Sequence, residues 1–144
     1  MRNVVAFGLG ILMLAALPAA AAEKRIITPP GAKPGGNFSQ GVLVDGTLYV
    51  SGQAGEDKDG KIPATFDAEV KQTLDNIDAV LKAAGMTASD VVSVQAYLTD
   101  QSLFQRFNAV YTSYFKDPRP ARTTVVVKSL VGEGHVEITV TARK

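Results

Sequence analysis

Gly41-Val42-Leu43-Val44-Asp45-Gly46-Thr47-Leu48-Tyr49-Val50 is the stretch on which the fold turns. Val42, Val44, Leu48 and Val50 alternate with other residues about Asp45-Gly46, a pair suited to the backbone angles of a tight hairpin. Two paired strands are therefore predicted, and in the second Tyr49, Ser51 and Gln53 share the face opposite Leu48 and Val50. Past the polar turn Glu56 to Lys61 the period changes. Phe66, Val70, Leu74, Ile77, Val80, Leu81 and Ala84 follow helical spacing, with Asp67, Glu69, Lys71, Asp75 and Asp78 mostly off that stripe and Gly85 as the stop.

From Val91 to Leu98 the period is two again, with Val92, Val94, Ala96 and Leu98 on one face and Ser93, Gln95 and Tyr97 on the other. Asp100 is placed to cap a second helix carrying Leu103, Phe104, Phe107, Val110, Tyr111, Tyr114 and Phe115. After Asp117-Pro118-Arg119-Pro120, the β-branched runs Thr123 to Lys128 and His135 to Arg143 predict two last strands, joined by Gly132-Glu133-Gly134. Upstream of the hairpin, Glu23 to Gln40 is rich in Pro and Gly and reads as an extended arm or loop. The order strand, strand, helix, strand, helix, strand, strand is that of an α+β domain with two helices on one face of a mixed sheet. The other face still carries Tyr49, Tyr97 and Val126, which calls for a partner, and self-association is the economical one.

Arg2, the apolar run Val4 to Leu17, Pro18 and the small residues Ala19 to Ala22 have the order of a signal peptide over residues 1–22. That predicts secretion across the inner membrane to the periplasm, cleavage before Glu23, and a mature single domain at 23–144 with no membrane attachment. Loss of Arg2 takes 15 basic groups to 14, against 14 acidic ones. A neutral chain without a basic stripe gives no footprint for nucleic acid. With no cysteine, stability cannot come from disulfides, and with only one histidine a zinc site is improbable.

The chemistry-bearing segment is Arg119-Pro120-Ala121-Arg122-Thr123-Thr124. Pro120 holds the backbone extended where a strand begins, so Arg122 is delivered rigidly, and a planar guanidinium grips a carboxylate through two parallel hydrogen bonds. The alternative is a salt bridge at a strand end. Glu137, in an otherwise apolar strand, points to the side of His135 and Thr139; it can orient a water or relay a proton, or be an ordinary solvated residue. Asn108, among Phe104, Phe107 and Tyr111, needs hydrogen-bond partners and can tie its helix to the loop before Arg122. His135, beside Gly134 at the mouth of a strand, reads as an exposed residue.

Taken in order, Ser39-Gln40-Gly41, Val50-Ser51-Gly52-Gln53, Thr73-Leu74-Asp75-Asn76-Ile77, Ala83-Ala84-Gly85, Phe107-Asn108-Ala109-Val110-Tyr111, Pro120-Ala121-Arg122 and Val136-Glu137-Ile138 resemble the RidA/YjgF family over Thr28 to Ala142. The resemblance implies a chorismate-mutase-like α+β domain, a homotrimer with inward-facing sheets, and active sites in the clefts between subunits. It implies a cofactor-free, metal-free hydrolase of the 2-iminobutanoate/2-iminopropanoate deaminase type, acting on small reactive imino or enamino acids to give 2-oxo acids and ammonia. Arg122 would hold the substrate carboxylate and Glu137 the attacking water, with Phe38, Ser51, Asn108 and Thr124 at the substrate pocket. Phe38 stands where well-studied deaminases of the family have tyrosine, Thr124 where cysteine is frequent, and Thr139 where a second acid is frequent. A non-catalytic periplasmic protein of the same fold, binding small carboxylates or protecting clients, is the alternative. A ribonuclease, as some relatives have been described, is the reading that the neutral chain favours least.

Overall fold

The computed structural model describes residues 22–32 and 36–144; the signal peptide expected over 1–22 lies outside them save for Ala22. The Asp45-Gly46 turn joins strands β2 (Gly41–Val44) and β3 (Thr47–Ala54), and both turn residues have positive φ, 48° and 69°, so the strands close as a tight hairpin. The upstream arm departs from expectation by containing a short strand, β1 (Arg25–Ile27), paired antiparallel to β2. Ile27 is its anchor: the side chain is buried in the core, and pairing satisfies the backbone groups on the free edge of β2.

Helix α1 (Phe66–Ala83) is capped by Thr65, whose hydroxyl accepts from the Ala68 N–H, and Asp67 and Glu69 in its first turn complement the helix dipole. Its apolar stripe lies across β3 and β6 (Val136–Arg143). After β4 (Val91–Leu98), Asp100 accepts from the Ser102 N–H at 2.7 Å and caps a single 3-10 turn that runs on into α2 (Phe104–Tyr114). α2 packs beside α1 and returns the chain so that β5 (Ala121–Val126) lies parallel to β4. The six strands form one sheet in the order β1-β2-β3-β6-β4-β5, antiparallel except for β4-β5.

The layered α+β arrangement matches the sequence expectation, and two bulges correct its details. Between Val50↔Val140 and Gln53↔Ile138, both Ser51 and Gly52 stand opposite the one residue Thr139. Gln53 is thereby turned onto the helix face, buried, with its amide donating to Gln40 Oε1 at 3.0 Å and to the Ser51 carbonyl at 3.1 Å, rather than sharing a face with Tyr49. In β4 the register shifts between Val91 and Ser93, so Val91 takes the inward position and Val92 is half exposed. Alternation counted along one strand cannot register an extra residue.

Ile26, Tyr49, Val92 and Val125 are 50, 52, 50 and 42 % exposed, on the face that the helices leave open. Val126 does not belong to that face. It pairs with Leu98 on the helix side and is exposed because it lies on the edge strand.

Candidate functional site

Two groups of polar side chains stand on opposite faces of the sheet. Arg122 pairs with Val94 and Thr124 with Ala96, both core residues, so Arg122 and Thr124 face the helices. The half-buried Arg122 guanidinium donates from Nη2 to Asn108 Oδ1 at 2.9 Å. Its Cζ lies 4.4 Å from the Tyr111 ring centroid, 5.4 Å from Phe107 and 5.9 Å from Phe104. These four residues share one face of α2 because 104, 107, 108 and 111 are three or four apart. The aromatic surface favours the cation, while Asn108 fixes the plane of the fork. Asn108 thus ties α2 to Arg122 itself, not to the loop before it.

The strand-end salt bridge weighed for Arg122 has no partner: among the described residues no carboxylate lies within ion-pair distance of it, and its neighbour Arg119 takes Asp117 at 2.6 Å. Beside this cation the Thr124 Oγ1 and the Tyr111 hydroxyl are buried without a hydrogen-bond partner. Burial raises the Tyr111 hydroxyl above the ordinary tyrosine range, and the charges of Arg122 and Arg119 pull it partly back. A half-buried cation with unspent donors next to buried hydroxyls has the chemistry to seat a small anion that carries further polar atoms.

Glu137 pairs with Tyr97 and Ala54, on the face away from the helices. Its carboxylate lies over the α-carbon of Gly52, where a Cβ would sit 2.8 Å from Glu137 Cδ and closer still to Oε1. The bulge and the missing side chain at Gly52 therefore create the place that Glu137 occupies. Ser51 works beside it: its hydroxyl donates to the Ser39 carbonyl at 2.6 Å and its N–H to the Gln40 carbonyl at 3.0 Å, which ties the segment bearing Phe38 to the bulge. Phe38 itself is 63 % exposed, at an open cleft of about 520 Å³ shared with Gln40 and Gly52.

Within one chain, then, Arg122, Asn108 and Thr124 form one group on the helix side of the sheet and Glu137, over Gly52 of the bulge, stands on the other, while Phe38 lies in a cleft that reaches Gln72, Asn76 and Ala79 of α1. His135 is exposed, as its sequence setting suggested, but it does not share the side of Glu137. Its ring Nδ1 meets Glu69 Oε2 at 2.9 Å, so it turns to α1 rather than to the side of Glu137. Glu69 is the residue that strand-and-stripe reading missed: 1 % exposed, it also accepts from the N–H groups of His135 and Val136. A signal existed, since 69 lies three residues after Phe66 and four before Thr73, inside the buried stripe.

The family model described as Endoribonuclease L-PSP matches residues 30–144. A crystal structure of RidA from an Antarctic Psychrobacter superposes with a TM-score of 0.79 at 36% identity, covering 83% of this chain and 99% of that one. The chain belongs to the RidA/YjgF family. Among curated members of the RidA/YjgF family, a RutC family protein of Aquifex aeolicus is 41% identical, over 84% of this chain and 99% of its own. The 2-iminobutanoate/2-iminopropanoate deaminase of Bos taurus is 44% identical, over 72% of this chain and 77% of its own.

Proposed function

We propose that the protein is a cofactor-free hydrolase that converts small 2-imino or 2-enamino acids to 2-oxo acids and ammonia, in sites assembled between copies of the chain. The observation that carries this is the Arg122 seat: a guanidinium fixed by Asn108 and stacked on Tyr111, with no carboxylate among the described residues to neutralise it. The 44% identity to the bovine deaminase supplies the reaction class. Because Arg122 and Glu137 lie on opposite faces of one sheet, a site that uses both takes them from different subunits, and the exposed apolar face bearing Tyr49 and Val125 is the surface on which copies would meet. A homotrimer with inward-facing sheets satisfies both requirements.

In this reading Arg122 grips the substrate carboxylate and sets the iminium carbon against a water held by the Glu137 carboxylate. Water adds to the C=N carbon and Glu137 takes its proton. Glu137 returns that proton to the nitrogen of the carbinolamine, the C–N bond breaks to release ammonia, and the hydroxyl proton passes by way of Glu137 to the ammonia, leaving ammonium and the 2-oxo acid. The iminium carbon is already electrophilic, so the protein's contribution is position rather than a strong nucleophile. Equal numbers of acidic and basic groups in residues 23–144 give no electrostatic support to the ribonuclease suggested by the family model's description.

The test is to generate 2-iminopropanoate with an amino-acid oxidase and follow its disappearance. Wild type accelerates the loss, and Arg122→Ala reduces kcat/KM about a hundredfold, the loss for a charge-assisted two-bond contact. Equal rates for the two proteins overturn the reading. Heat of binding to pyruvate without any acceleration of imine loss would select the non-catalytic carboxylate-binding alternative.

A further inference from the structure

Glu69 is a buried carboxylate that the proposed chemistry leaves unused, and its surroundings are built for it. Oε1 accepts from the His135 N–H at 2.5 Å and the Val136 N–H at 3.2 Å, while Oε2 meets His135 Nδ1 at 2.9 Å. Gly55 makes the room: a Cβ there would lie 2.5 Å from Glu69 Cγ and 2.7 Å from the Glu69 carbonyl oxygen. A Cβ on Gly134 would meet Glu69 Oε1 at 3.3 Å. Two glycines three residues apart at the end of β3 thus each clear space for an acid, Gly52 for Glu137 and Gly55 for Glu69.

The two acids are linked through the backbone. The residues that Glu69 holds are the two immediately before Glu137. At this end of β6 the ladder to β3 is interrupted by the bulge, and beyond it only the Gln53↔Ile138 and Ala54↔Glu137 pairs continue. On its other side β6 stays laddered to β4 through Tyr97↔Glu137 and Leu98↔Val136, with the Thr99 N–H donating to the His135 carbonyl at 3.1 Å, so it is the β3-facing edge, where the Glu137 carboxylate lies over Gly52, that runs out of ladder partners. A clamp of two N–H bonds to a carboxylate 66 and 67 residues away in sequence takes over on that edge, where the β3 ladder ends.

We propose that Glu69 is a positioning residue for Glu137: through the His135 and Val136 amides it sets the register and aim of the water-holding carboxylate. The inference rests on the reading of Glu137 given above, and it touches neither substrate nor Arg122. Glu69→Ala lowers kcat about ten- to a hundredfold with KM little changed, because the carboxylate anchor is untouched while the water is misplaced. Glu69→Gln restores kcat to within about threefold, since the amide oxygen can accept both N–H groups and the amide nitrogen can donate to His135. A merely structural clamp instead lowers thermal stability and leaves kcat and KM of the folded enzyme alone, which overturns the proposal. If Glu69→Ala does not fold, Gly134→Ala is read in its place; it crowds Oε1 and lowers kcat in the same sense, and unchanged kcat overturns the proposal. Amide exchange separates this idea from the deaminase reading. In Glu69→Ala the Val136 and Glu137 amide protons exchange about tenfold faster while those of α1 do not. Unchanged exchange at Val136 and Glu137 sinks the positioning role whether or not the wild type turns over imines, and failure of wild type alone to turn over sinks only the reading it rests on.

Discussion

Arg122 shows how far a single residue could be read from sequence. Pro120 ahead of it and the start of a β-branched run predicted rigid delivery into a strand, and β5 begins at Ala121. Sequence spacing did not reveal which face of the sheet Arg122 occupies, because that is set by pairing to Val94 on a parallel neighbour. The aromatic bed under the guanidinium was legible only in part. Phe104, Phe107 and Tyr111 read as core, and a ring can face the core with one surface and a cation with the other. Tyr114 illustrates the opposite case, a polar atom buried without use. Its hydroxyl has no partner, and burial, with the nearby charges of Asp78 and Asp75, pushes it far above the ordinary tyrosine range. The neutral form is thus favoured in the folded state. Its contribution is fully present below the unfolded value near 10 and is lost as pH rises above that. Tyr114→Phe is expected to unfold in urea within about 0.5 kcal/mol of wild type at pH 7, since no hydrogen bond is lost. It should also lose less stability than wild type as pH rises above about 10. A steeper alkaline loss in the variant would contradict this account.

At the scale of elements, periodicity located every long strand and both helices, and failed where an element breaks its own period. The β3 bulge is the instructive case. Alternation from Tyr49 through Ser51 predicted Gln53 on the open face, yet one inserted residue buries it against the core and carries Gly52 under Glu137. The physical reason for the irregularity is local: a regular strand would place a side chain where the carboxylate needs to lie. Gly52→Ala is accordingly expected to fold, with the new methyl displacing Glu137, and to reduce kcat more than tenfold with KM within about twofold of wild type. Steady-state kinetics alongside a melting curve check it, and a variant with wild-type kcat would show that Glu137 does not need that position. The short strand β1 was missed for a different reason. Three residues carry too little periodicity to register, and only the free edge of β2 and the burial of Ile27 make them a strand.

At the scale of the whole molecule, the open face and the split site are one problem. A sheet bearing Ile26, Tyr49, Val92 and Val125 at 42 to 52 % exposure is unfavourable to leave in water, and the proposed site, which needs both Arg122 and Glu137, would be incomplete in one chain because the two lie on opposite faces. Cyclic association answers both, because it covers the apolar face and can bring the Arg122 edge of one copy to the Glu137 surface of the next. This has a consequence that mutation of either residue alone does not reveal. Arg122→Ala and Glu137→Ala each remove one half of every site, so each alone is expected to keep about a hundredth of the activity or less. If each site draws its arginine and its glutamate from different copies, unfolding and refolding the two variants together in equal amounts restores both groups at about a quarter of the sites. Imine hydrolysis should then return to about a quarter of the wild-type rate. If both residues of a site came from the same copy, mixing could never reunite them and the mixture would stay at that low level. Recovery of activity on mixing, with sedimentation confirming that the variants assemble as wild type does, therefore distinguishes the two geometries without requiring the natural substrate.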